Sequence, residues 1–134
     1  MRWTMLVVIL ISSSSAALTA RQLREKCLAE QRVMVAIDTN NSQYVKATDY
    51  QDGGYCFGYI DGATDALNGF AFSDGRMLRI ATGQSTFGDL VQIFLQWTEQ
   101  NPAGLDNLAD GEIFAALVAN KKADLYSPMV VTSH

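Results

Sequence analysis

Few residues in this chain could do covalent chemistry, and they are widely separated. Cys27 and Cys56 are its two thiols, and His134, at the very end, is its one imidazole. A nucleophile needs a base within hydrogen-bond reach, and no Ser-His-Asp or Cys-His set can be assembled around a single terminal histidine. The expectation is a protein that is not an enzyme. Zinc sites use closely spaced Cys and His pairs, which are missing here, so neither a metal pair nor a reactive thiol is expected of the cysteines. Asp61 and Asp65 stand four apart, yet two oxygen donors make a poor site for calcium or magnesium, and a solvated face is the simpler reading. Thr82-Gly83-Gln84 lacks the glycine pattern and lysine of a phosphate loop. No metal and no cofactor is expected.

The remaining chemistry open to two cysteines is a disulfide, and the first twenty residues say whether the compartment permits it. Arg2 is followed by an apolar run from Trp3 to Ile11, then Ser12 to Ser15, then Ala16 and Ala17. This is the order of a cleavable secretory leader. Small residues at Ser15 and Ala17 suit cleavage after Ala17, whereas cleavage after Ala20 would put Leu18 where a small residue is preferred; the bond is expected between 17 and 20. No later stretch reaches the roughly 18 apolar residues of a membrane span, so no membrane insertion is expected after leader removal. In an exported chain, Cys27 and Cys56 read as one disulfide closing a loop of about 30 residues, worth about 3.5 kcal/mol at most in the chain-entropy model.

Without the leader, about 115 residues remain, enough for one domain with an ordinary core. The formal charge of −4 includes Arg2, so the mature chain carries −5. That acidity argues against nucleic acid and anionic membrane as partners. Asp49, Asp52, Asp61, Asp65 and Asp74 lie between Lys46 and Arg76 with no lysine or arginine among them. They form either a solvated acidic face or a surface complementary to a basic partner.

The elements that position these residues read as helices. A first helix begins near Arg21 with Leu23 and Cys27 on one face, and Val33 to Ile37 is either its end or an extended segment. Asp38 to Ser42 is a turn cluster holding a formal glycosylation sequon at Asn40-Asn41-Ser42. A second helix is expected from about Asp52–Tyr55 to Phe70, with Cys56, Tyr59, Ile60, Ala63, Leu67 and Phe70 at helical spacing. Within it, Gly58, Tyr59, Ile60 and Gly62 form a candidate helix-packing motif. Glycine costs about 1 kcal/mol against alanine inside a helix, so Gly58 and Gly62 suggest the close approach of another backbone. Ala71 to Ser85 is a longer amphipathic connection. Thr86 caps a third helix whose stripe is Phe87, Leu90, Val91, Phe94, Leu95 and Thr98, stopped by Asn101-Pro102. A fourth runs from about Asn107 to Asn120 with Leu108, Ile113, Ala116 and Leu117 inward, and Lys121 and Lys122 suit its negative end. The fold class expected is all-α: a small compact bundle of about four to five helices, stapled by a disulfide, over residues 21–126, with a flexible tail at 127–134.

Taken together, Cys27 and the run Cys56-Phe57-Gly58-Tyr59-Ile60-Asp61-Gly62 resemble the Tai/Rap family of immunity proteins, which protect bacteria from peptidoglycan-cleaving amidase effectors of the type VI secretion system. The threonine-capped helix from Thr86 to Pro102 and the last helix from Leu108 to Ala119 are similar to their counterparts there. Family members commonly carry a second cysteine pair, and its places here look like Ile80 and Ala123. The resemblance implies a periplasmic protein that binds a cognate cell-wall amidase and occludes its active site, as a helical dimer presenting an inter-helix loop. The candidate loops are Ala71 to Ser85 and Asn101 to Asn107. The first is preferred, because Asp74, Arg76, Met77 and Arg79 combine apolar anchoring with charge selection. Two other readings fit an exported acidic chain: an Hde-like acid-stress chaperone of the periplasm, and a small exported binding protein of other role.

Overall fold

The computed structural model describes residues 17–81, 83 and 85–128; most of the expected leader and the tail beyond Pro128 lie outside the described residues. Four helices form the domain: α1 (Ala20–Asp38), α2 (Ala47–Leu67), α3 (Phe87–Gln100) and α4 (Ala109–Ala119), with a short 3-10 turn at Pro102–Gly104. Two short strands, β1 (Met77–Ile80) and β2 (Ala123–Tyr126), pair antiparallel. The expectation of a small, mostly helical, disulfide-stapled bundle holds. The strand pair is the addition, and four residues a side are too short to announce a period in sequence.

Helix α1 is continuous through Val33–Ile37, which settles the open choice there in favour of helix. Its start is a reciprocal cap: the Thr19 N–H donates to Gln22 Oε1 at 3.0 Å, and the Gln22 N–H donates to Thr19 Oγ1 at 3.3 Å. The residues just before the helix are tied down as well. The Ala109 N–H donates to the Leu18 carbonyl, and the Ala20 and Arg21 N–H groups donate to the Asn107 and Leu105 carbonyls.

Helix α2 begins about two turns earlier than the apolar pattern suggests. Asp49 reaches back to the Lys46 N–H at 3.0 Å, and this supports a first turn that has no apolar signal. It also ends sooner, at Leu67. Asn68 turns extended, Gly69 adopts φ +83°, and the Gly69 N–H goes to the Leu78 carbonyl of β1. Phe70 therefore lies outside the helix and is 53% exposed, against the expectation that it completes the inner stripe. Leu108 is likewise displaced: it flanks α4 as the N-cap and is exposed, while Ala109, Ile113, Ala116 and Leu117 are the buried face.

Helix α3 follows its sequence signals closely. The Thr86–Asp89 box is reciprocal, at 2.7 and 3.2 Å, and Leu90, Val91, Phe94, Leu95 and Thr98 are buried. Their partners in the core are Ala20, Leu23, Cys27, Cys56, Ile60, Leu78, Ile113 and Leu117, so every helix and β1 contribute. The Arg24 guanidinium crosses to α3 and donates to the Leu95 carbonyl at 2.8 Å and to Thr98 Oγ1 at 2.6 Å, which satisfies polar atoms on an otherwise apolar contact.

Candidate interaction site

The antiparallel pair α1–α2 is the scaffold on which the sequence motif sits. Cys27 and Cys56 are bonded and fully buried, with Cα atoms 5.0 Å apart. One turn along, Gly53 is buried against Glu30: a Cβ added there would come 3.1 Å from the Glu30 Cα and collide with its carboxylate. This is where the two backbones need a glycine. Lys26 and Asp52 pair at 3.0 Å and Arg32 and Asp49 at 2.7 Å, one on each side of that contact. The Arg32 hydrogen bond, together with the Lys46 N–H, holds the Asp49 carboxyl below the usual carboxylate range.

Of the four motif residues, Ile60 is buried in the core and Tyr59 is half-buried, its hydroxyl donating to Asp110 Oδ1 at 2.7 Å. Burial first, and Asp110 second, push the Tyr59 hydroxyl well above its ordinary pKa. Gly58 and Gly62 do not behave as expected. Both are exposed, and an added Cβ at either would meet nothing within 4 Å. The reason is angular. The face of α2 that meets α1 runs through Asp49, Gly53, Cys56 and Ile60, and a residue two places on from Cys56 or Ile60 stands about 200° round the helix. The exposed line is Gly54, Gly58 and Gly62 at four-residue intervals.

The first part of the preferred loop, residues 71–77, is a tight hairpin rather than an irregular connection. Phe72 and Arg76 close a tight turn, with the Phe72 N–H donating to the Arg76 carbonyl at 2.8 Å and Gly75 at φ +85°. Asp74 accepts from the Arg76 N–H at 3.0 Å and from its Nε at 2.7 Å, and these bonds, backbone first, lower its pKa. Met77 and Arg79 fall on β1 instead. Met77 faces Tyr126, whose hydroxyl lies 3.9 Å from the Met77 sulfur. Arg79 is engaged across the strands by a two-point pair with Asp124, at 3.1 and 2.7 Å, and its guanidinium lies over the Tyr126 ring. The structure thus splits the four candidates into an exposed tip, Asp74 and Arg76, and a strand-borne pair already partnered within the chain. Thr82 and Gln84 lie outside the described residues.

Beside the hairpin is an apolar groove of about 230 Å³ lined by Leu67, Phe70, Phe72, Leu78, Gly111 and Phe114, with Asp110 at its edge. Phe70 and Phe72 meet edge to face at 5.2 Å. Sequence reasoning missed this groove because it placed Phe70 on the inner helix face. The acidic run is also less bare than its spacing implies: Asp49, Asp52 and Asp74 each hold a cation, and among the described residues Asp61 and Asp65 form no ion pair.

No family model, curated protein or solved structure matches this chain. Ile80 and Ala123, named in the sequence analysis as the places of a second cysteine pair, are register partners across β1 and β2. The Ile80 N–H turns away from β2 to Asn68 Oδ1 at 3.0 Å, whereas the next pair bonds through the Ala81 N–H to the Lys122 carbonyl. Ile80 and Ala123 therefore form a non-hydrogen-bonded pair, in which Cα atoms approach to about 4.5 Å, within the span that a disulfide bridges.

Proposed function

We propose that this protein is an exported immunity protein of the Tai/Rap type, which binds a cognate cell-wall amidase and blocks its active-site cleft by steric occlusion. The observation that carries the reading is the juxtaposition of Ile80 and Ala123. Two positions 43 apart in sequence, at which the family pattern sets a cysteine pair, are cross-strand neighbours in this fold, and that supports the reading. The buried Cys27–Cys56 bond on the α1–α2 pair agrees with the same pattern.

On this reading the leader is cut after Ala17. Cleavage there keeps Leu18 and Thr19, which bond to α4 and cap α1; cleavage after Ala20 would remove both. The hairpin tip at Asp74 and Arg76, with the phenylalanine groove beside it, offers the combination an inhibitor needs: an apolar anchor and flanking charge. Arg79 contributes by holding β2 against β1 rather than by reaching the partner.

The test is protection. Cells exporting the cognate cell-wall amidase survive when the full chain is co-expressed with its leader, and lyse when residues 2–17 are deleted so that the protein stays inside. Equal lysis with and without the exported protein contradicts the proposal.

A further inference from the structure

The connection between α3 and α4 borders a second hollow, which shares no lining residue with the groove beside the hairpin. An open, shallow hollow of about 430 Å³ is bounded by Trp97, Gln100, Asn101, Pro102, Gly104 and Glu112. Glu112 forms its floor. Its Oε2 accepts from the Trp97 indole N–H at 2.7 Å, and its Oε1 accepts from the Asn107 side-chain amide at 2.9 Å. The carboxylate lies flat on Gly104, where an added Cβ would come within 2.6 Å of it, so this position stays glycine to let the carboxylate in.

Both donors to Glu112 are neutral. None of the described lysines or arginines forms an ion pair with it, and a carboxylate has about four acceptor sites, of which two are used. A partly exposed carboxylate with acceptor capacity left over therefore borders this hollow together with an indole. The surroundings are fixed in advance. Asn101 donates twice to the Trp97 carbonyl, at 2.9 Å from both its backbone and its side chain, and the Leu105 and Asn107 carbonyls are tied to the start of α1. A rigid site loses little conformational freedom on binding.

We propose that this cavity seats the guanidinium of an arginine side chain from another protein. A guanidinium is planar, always charged, able to give two parallel hydrogen bonds to a carboxylate, and suited to stacking on an aromatic wall. An ammonium supplies the charge but neither the plane nor the fork. The site stands independently of the inhibitor reading, and its test uses no amidase.

Replacing Trp3 by Phe in the full chain leaves Trp97 as its single indole, so the Trp97 N–H resonance and fluorescence report on this cavity alone. A blocked Gly-Arg-Gly peptide is titrated against the same peptide with citrulline, which has the same shape without the charge. The expected result is a saturable shift of the Trp97 signals with the arginine peptide, at least tenfold weaker with citrulline and at least tenfold weaker in Glu112→Gln. Equal responses to the two peptides, or no saturable response to arginine, overturn the proposal with the unaltered cavity, whatever the Gln variant does to folding.

Discussion

At the scale of single residues, the glycines of α2 separate structural need from open surface. Gly53 faces the Glu30 backbone, so Gly53→Ala should lower stability by about 1–3 kcal/mol, the usual cost of overpacking. Gly58 and Gly62 face open space, so Ala at either should raise stability by up to about 1 kcal/mol through helix propensity. Urea melts of the three variants check this; a loss at Gly58 or Gly62 would mean that another molecule packs on that face. Asp49 makes a second residue-scale prediction. Its folded pKa lies below the usual range because Arg32 and the Lys46 N–H favour the ionised form. Its contribution is therefore full above about pH 5, where the unfolded carboxyl is already ionised, and is lost as pH falls through the lower folded value. Asp49→Asn should melt a few degrees below wild type at pH 7, with the gap closing towards pH 2. A gap that stays constant with pH would remove the ion pair from the account.

At the scale of elements, what could be read from sequence was what a local pattern encodes. The Thr86–Asp89 box, the stripe from Phe87 to Thr98 and the paired cysteines all carry their cause within a turn or a compartment signal. The β1–β2 pairing did not show itself, because the two strands lie more than forty residues apart and each has only four residues. The contact at Gly53 was also hidden: Gly54, Gly58 and Gly62 make the more regular spacing, and only the direction of the α1 contact distinguishes the two sets. Of the candidate loop, its place in the chain was legible, but the division between the Asp74–Arg76 tip and the Arg79–Asp124 pair depends on β2, which has no sequence signal. The strand pair has its own test. In an Ile80→Cys, Ala123→Cys double variant, the new cysteines should join each other while Cys27–Cys56 persists, closing a loop worth at most about 4 kcal/mol in the entropy model. Peptide mapping of non-reduced protein reads the connectivity. Two free thiols at these positions would contradict the register and weaken the family argument built on it.

At the scale of the whole molecule, the described residues form one disulfide-linked helical domain. The helices bury their apolar faces in one core reached by every helix, and the disulfide joins the two longest of them. Among the exposed features are a charged hairpin tip next to a phenylalanine groove, an open glycine line on α2 and the hollow beside Glu112 at the α3–α4 connection. The proposal is that these surfaces recognise a cell-wall amidase. The direct measurement is a titration of the cognate cell-wall amidase with the purified protein, wild type and Arg76→Glu in parallel. Amidase activity should fall linearly to zero near one equivalent, and charge reversal at the hairpin tip should weaken binding by about 2 kcal/mol. Full amidase activity in the presence of excess wild-type protein would contradict the account.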